Sequence, residues 1–160
     1  IVCYGNVKSV EKAHRLLSRM DEKGCMPGLK AYTALVNACA KCGDVQSAKE
    51  VLKELERRKF SPSLSVLNAL LDALCKAGLM DEARQRLERM EADSTIGSDL
   101  FSYNALLNGY AKFQNFEAIE EVLSILEKKG LEPDVISFGI LFRAHASRND
   151  RRQAMDILEK

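Results

Sequence analysis

The chain contains no tryptophan, only 3 prolines, 2 histidines and almost no excess of charge of either sign in 160 residues. So little proline, with only 9 glycines, excludes a collagen-like chain, and 46% hydrophobic content excludes a disordered one. The composition predicts one soluble globular body or a short array. With 24 Lys+Arg against 23 Asp+Glu the formal net charge is +1, which excludes a histone-like or polybasic binder. Any contact with nucleic acid must then rest on local charge placement. No apolar run approaches the roughly 18 residues that a membrane span needs, so none is predicted. No charged-then-apolar leader precedes the body. The chain opens on Ile1 inside a helix-like pattern of Val7, Val10 and Ala13, which predicts that it is a piece of something longer.

Chemistry-bearing clusters are equally scarce. The five cysteines, Cys3, Cys25, Cys39, Cys42 and Cys75, are odd in number and scattered through helix-like segments. They read as reduced thiols. Cys39-x-x-Cys42 has no second such pair, and His14 and His145 are far away in sequence, so no metal site is expected and small apolar packing near a helix end is the reading preferred. No glycine-rich phosphate loop and no Ser-His-Asp arrangement occurs, which leaves no catalytic constellation.

What is present is a repeat. Leu17, Leu52, Leu87, Leu123 and Leu158 step by 35, 35, 36 and 35, and Leu35, Leu70, Leu106 and Leu141 by 35, 36 and 35. One inserted residue explains the departures, and the loop-like run 92–99 is the natural place for it. Inside a unit, Tyr103, Leu106, Leu107 and Tyr110 make one apolar stripe at helical spacing, and Phe116, Ile119, Val122, Leu123 and Leu126 make a second. Each unit is therefore a helical hairpin. Its turn carries Cys42-Gly43, Ala77-Gly78 or Phe113-Gln114, and its second helix ends near Gly24, Lys59 or Gly130, before Pro27, Pro62 or Pro133. The units are 29–63, 64–99 with the insertion, and 100–134, flanked by partial units 1–28 and 135–160. One hairpin cannot bury its own stripe, whereas stacked hairpins bury a continuous core. The expected fold is all-α, a right-handed α-solenoid of stacked antiparallel helical hairpins.

Along each first helix the second, fifth, ninth and thirteenth positions form one line, expected opposite the buried stripe. The fifth positions are Thr33, Asn68, Asn104 and Gly139; the ninth are Asn37, Asp72, Asn108 and Arg143; the thirteenth are Lys41, Lys76, Lys112 and Ser147. The three lysines suit a phosphate backbone, although a helix C-terminus alone also favours lysine. Asp72 on this face would repel phosphate. Asparagine is a poor helix former, yet its amide carries both donor and acceptor and matches the edge of a base. Ser63, Asp99 and Asp134 close the full units and immediately precede the next first helix, which brings each beside a fifth position. They are also ordinary N-cap residues, and a residue can cap a helix and still present an oxygen. On the second helices Lys49, Glu50, Lys53, Glu54, Arg57 and Arg58 read as a solvated outer face, with Glu54 and Arg58 an i, i+4 pair.

The unit 100–112, Leu-Phe-Ser-Tyr-Asn-Ala-Leu-Leu-Asn-Gly-Tyr-Ala-Lys, closing with Lys-Lys-Gly-Leu-Glu-Pro-Asp at 128–134, resembles the pentatricopeptide repeat family, and the resemblance extends over essentially the whole chain. Tetratricopeptide repeats, with 34 residues and a characteristic tryptophan, fit less well. The resemblance implies a module that reads single-stranded RNA at about one base per repeat, without a cofactor. It implies base reading by Thr33 with Ser63, Asn68 with Asp99, and Asn104 with Asp134, stacking by Phe101 and Ile136, and phosphate contact by Lys41, Lys76 and Lys112. The implied tract is 5′-purine-U-U-3′, with the Asn104 site strongest because Phe101 and Ile136 both flank it. Lys30 and Ser65 depart from the apolar preference at the second position, and Gly139 leaves the last partial unit without a reading amide. The resemblance places such proteins in a mitochondrion or chloroplast, in RNA processing, stability, splicing or translation. The alternative is a protein–protein interaction scaffold or a self-associating adaptor, permitted by the neutral charge and by Phe101 and Ile136.

Overall fold

The computed structural model describes residues 22–25, 27–93 and 95–147, together with Arg15, Arg19 and Met20. The expectations resting on Cys3, Val7, Val10, Ala13, His14, Leu17 and Leu158 lie outside these. Among the described residues are seven α-helices of 13 residues each: α1 Leu29–Lys41, α2 Val45–Arg57, α3 Leu64–Lys76, α4 Met80–Ala92, α5 Leu100–Lys112, α6 Phe116–Lys128 and α7 Val135–Ser147. No strand occurs among them, and no helix among them is long and apolar enough to cross a membrane. The chain divides into two compact units, Ile1–Ala77 and Gly78–Lys160, and the division falls in the turn between α3 and α4.

In the first unit α1 packs on both α2 and α3. Tyr32, Leu35, Val36 and Cys39 of α1 are buried against Val51, Leu52 and Leu55 of α2 and Leu67, Leu70, Leu71 and Leu74 of α3. Each such large apolar side chain contributes about 1.5–3 kcal/mol when it leaves water, which is what holds a hairpin whose isolated helices would be marginal. The turn from α1 to α2 uses Gly43 at φ 73°, and Asp44 then caps α2 by accepting from the Ser47 backbone N–H at 3.0 Å. After α2 the chain turns through Lys59 at φ 61°, and the Phe60 N–H returns to the Leu55 carbonyl at 3.2 Å. The Arg58 guanidinium lies over the Tyr32 ring at 5.5 Å, closing the same corner.

The second unit repeats the plan. Here α5 packs on α4, α6 and α7, burying Tyr103, Leu106, Leu107 and Tyr110 with Ile119, Val122 and Leu126 of α6 and Ile140, Leu141 and Ala144 of α7. The turn from α5 to α6 puts Gln114 at φ 54°, the left-handed conformation that glycine takes in the other two turns. Gly78 has a second reason to be glycine: a Cβ there would meet the Phe113 ring at 2.9 Å. The buried Tyr103 ring sends its hydroxyl out to Glu91 at the end of α4, where the carboxylate also accepts from Lys129 Nζ at 2.8 Å and Ser98 Oγ at 3.2 Å. Partial burial raises the Glu91 carboxyl, but the hydrogen bonds from Lys129 and Tyr103 outweigh it and hold Glu91 below its ordinary range.

Replacing fully buried Leu107 by alanine is expected to cost about 2–5 kcal/mol in urea unfolding, because the cavity adds to the lost transfer energy. Lys128→Ala on the exposed side of α6 should stay within about 0.5 kcal/mol. Burial pushes the thiols of Cys39 and Cys75 up to about 12, so neither is a thiolate at neutral pH. Iodoacetamide at pH 8 should therefore modify exposed Cys25 in the native protein and reach Cys39 and Cys75 only after unfolding, as read by peptide mass.

Candidate nucleic-acid interface

Four first helices, α1, α3, α5 and α7, begin at Leu29, Leu64, Leu100 and Val135, so residues 35, 36 and 35 apart start equivalent elements. The clearest outcome of that register is in the second unit, between α5 and the residue preceding α7. Asn104 donates from Nδ2 to Asp134 Oδ1 at 3.2 Å across 30 residues of sequence. Asp134 Oδ1 simultaneously accepts the Ser137 backbone N–H at 2.9 Å, so the same oxygen caps α7 and holds the asparagine. The Ser137 hydroxyl lies 2.6 Å from Asn104 Oδ1 and receives the Asp134 backbone N–H at 3.2 Å. The groups thus form a closed ring: Asp134 N–H to Ser137 Oγ, Ser137 O–H to Asn104 Oδ1, Asn104 N–H to Asp134 Oδ1. The bonds from Asn104 and Ser137 to the carboxylate converge on Oδ1, and the Ile136 backbone N–H also reaches the carboxylate. The backbone bond from Ser137 leads in holding the Asp134 carboxyl below its usual range, with the Ser137 hydroxyl and Asn104 adding to it.

The first unit holds Thr33, half-buried on α1, and exposed Ser63 ahead of α3. Ser63 makes no side-chain cap bond to α3, unlike Asp99 and Asp134. Asn68 belongs to the first unit and is buried in α3, whereas Asp99 belongs to the second and is described there. Asp99 and Ser102 form a reciprocal capping box at the start of α5, with the Ser102 N–H 2.9 Å from Asp99 Oδ1 and the Asp99 N–H 3.3 Å from Ser102 Oγ.

Two of the four fifth positions do not stand opposite the core as the helical wheel suggested, whereas Thr33 is half-buried and Gly139 exposed. Asn68 and Asn104 are only 5% and 7% exposed, because a first helix packs on neighbours on more than one side and its buried arc is wider than a single stripe. The second positions are open by contrast, with Phe101 58% and Ile136 61% exposed.

The three lysines differ from one another. Lys41 is exposed at the end of α1. Lys76 is ion-paired with Asp72 Oδ2 at 2.6 Å, so Asp72 acts first on its own neighbour one turn away. Lys112 sits over the Phe113 ring at 5.6 Å and lines a cavity of about 370 Å³ with Asn108, Gln114, Ile140 and Arg143. Arg143 donates from Nε to the Gly139 carbonyl at 3.3 Å, which places its guanidinium along the face where the last helix has no amide. Among the described residues no group of three or more His, Cys, Asp or Glu side chains is placed to hold a metal ion.

Sequence reasoning overlooked Ser102 and Ser137, both fully buried polar residues at the third position of α5 and α7. The signal was available as Asp-x-x-Ser at 99–102 and 134–137, a capping-box spacing. Because Oδ1 of Asp134 is used as an anion, the stabilisation is present above the ordinary carboxylate range near 3.9 and is lost as pH falls through the depressed folded value. Asp134→Ala is expected to lower the urea midpoint at pH 7, with the gap to the parent closing as pH is taken below 3.

Comparison with known proteins places this geometry in context. The family model for the pentacotripeptide-repeat region of PRORP matches residues 3–112, and that for the PPR repeat family matches residues 98–147. A chloroplastic pentatricopeptide repeat-containing protein of Arabidopsis thaliana is 23% identical over 145 residues, covering 91% of this chain and 22% of the relative. The crystal structure of the pentatricopeptide repeat protein PPR10 from maize superimposes with a TM-score of 0.79 at 25% identity, over 90% of this chain and 20% of the maize protein. PPR10 in complex with an 18-nucleotide psaJ RNA element gives a TM-score of 0.81 at 24% identity, over 94% and 22%. The fold is therefore an all-α helical-repeat solenoid, and the chain spans about a fifth of the length of these relatives.

Proposed function

Because the chain belongs to the pentatricopeptide repeat family, we propose that it is a sequence-selective single-stranded RNA-binding module, acting in an organelle on RNA processing, stability, splicing or translation. The observation that carries this reading is the Asn104–Asp134 pair, held at 3.2 Å beside two exposed apolar side chains. A relative of the same fold was crystallised with RNA, and another is named as chloroplastic, which supports both the ligand class and an organellar location. The units 29–63, 64–99 and 100–134 are taken as one base-reading repeat each.

The chemistry favours uracil at Asn104. After the ring bonds are made, the amide keeps one N–H and one lone pair beside the ionised Asp134 carboxylate. Uracil offers the donor N3–H between two carbonyl acceptors, which suits an amide and an ionised carboxylate together. Cytosine presents a lone pair at N3, which a carboxylate opposes. Phe101 and Ile136 provide the walls between which the base stacks. The equivalent reading gives uracil to Asn68 with Asp99 and a purine to Thr33 with Ser63, hence 5′-purine-U-U-3′. Lys41, Lys76 and Lys112 are the proposed phosphate contacts. The Asp72 partner of Lys76 is an exposed i, i+4 ion pair worth about 0.3–0.5 kcal/mol, little enough for a phosphate to displace. Lys112 and Arg143, both lining one cavity, supply two cations at the third site.

Titration of short RNAs should show a purine-U-U tract bound more tightly than polycytidine, with affinity falling as salt rises because counterions are released. Phe101→Ala is expected to weaken binding by about 1–3 kcal/mol. Asn104→Thr, with Asp134 retained, should move preference at the third base from U toward G. Equal affinity for both tracts refutes the assignment, and crosslinking in cells that recovers protein partners without RNA favours a scaffold.

A further inference from the structure

We propose that Ser137, the third residue of the helix following a reading helix, is a positioning residue for base selection by Asn104: its hydroxyl fixes which end of the amide faces the nucleotide. The inference rests on the reading of Asn104 as a base contact. An asparagine side chain has a carboxamide whose two ends differ in chemistry but barely in shape. Rotation by half a turn about its last bond exchanges donor for acceptor, and an amide free to do so pairs with either pyrimidine. Selection therefore requires that something lock the amide.

The ring supplies the lock from both sides. Asp134 Oδ1, accepting only, demands the amide nitrogen. The Ser137 oxygen is already occupied as an acceptor by the Asp134 backbone N–H, so its hydrogen is directed outward. Two oxygens compete for that hydrogen, Asn104 Oδ1 at 2.6 Å and Asp134 Oδ1 at 2.9 Å, and the shorter contact is to the asparagine. The hydroxyl is fully buried, so water does not replace it when it is removed. Bonds that run head to tail around a ring also polarise one another, which strengthens the remaining amide N–H as a donor to the base.

The first unit provides an internal contrast. The third residue of α3 is Val66, fully buried and without a hydroxyl, ahead of which stands the Thr33–Ser63 pair. That pair lacks the ring, and discrimination at the first base is correspondingly looser. The lock is therefore a property of particular repeats, read from the third residue of the next one.

Ser137→Ala removes the hydroxyl and leaves the backbone N–H that Asp134 caps, so the helix start is preserved. With the full chain, the expected result is that the preference for U over C at the third base falls by about three- to tenfold, whereas Ser137→Thr, which keeps the donor, retains it. A role confined to stability would weaken U- and C-bearing RNAs equally and leave their ratio unchanged, and that result overturns the proposal. A second measurement needs no RNA: hydrogen exchange of the Asn104 side-chain amide, followed by NMR, should accelerate in Ser137→Ala, and unchanged exchange overturns the lock. Should the parent chain show no preference between U and C at the third base, the base-reading assignment of Asn104 fails and base selection by Ser137 fails with it, while the exchange measurement still reports whether the ring exists.

Discussion

Everything in each unit depends on one constraint: a two-helix hairpin has more apolar surface than it can cover by itself. Leu106, Leu107 and Tyr110 of α5 are buried in a helix that packs on α4, α6 and α7. The same is true of Leu35 and Val36 of α1 between α2 and α3. Burial of this kind sets register, since sliding one helix along another by a single turn would separate every matched side chain by about 5.4 Å. Register in turn decides which polar residues meet. Asn104 and Asp134 are 30 residues apart and touch because hydrophobic packing has already fixed α5 against α7.

The polar groups then refine what packing has placed. Putting an amide at a position only 7% exposed costs free energy unless its donor and acceptor are both engaged, and the ring with Asp134 and Ser137 engages them. The Tyr103 hydroxyl meets the same requirement by reaching Glu91, which Lys129 neutralises. So α5 is tied by polar bonds toward α4 and toward α7. Neither tie adds much net stability.

The hairpins were legible in the sequence because leucine spacing reports buried faces directly, and the helix starts fall at the intervals that the leucines mark. The turn positions were legible too, although the left-handed conformation of Gln114, where its counterparts have glycine, was not. The burial of Asn68 and Asn104 was not, because a helical wheel shows one buried stripe and takes no account of a second neighbour. Ser102 and Ser137 escaped because a serine near a helix start reads as a local cap, and for Ser137 nothing in its own neighbourhood announces a partner 33 residues earlier. The pairing of Lys76 with Asp72 was present as an i, i+4 spacing, but it was read as repulsion of a ligand instead of attraction within the helix.

A division of labour follows from where each group is bound. Asn104 is held by two directed side-chain bonds and Asp134 by more, so the pair has little freedom to adapt. Phe101, Ile136 and Lys41 are exposed, so their side chains keep freedom to adjust. Stacking on a ring face or neutralising a phosphate tolerates an imprecise approach, whereas matching a donor and an acceptor does not. The rigid pair is affordable only at an interface between packed helices, where the backbone already supplies a cap and a buried hydroxyl. That is why the bonded pair lies where α5 meets the start of α7, whereas Phe101 and Ile136 stand exposed.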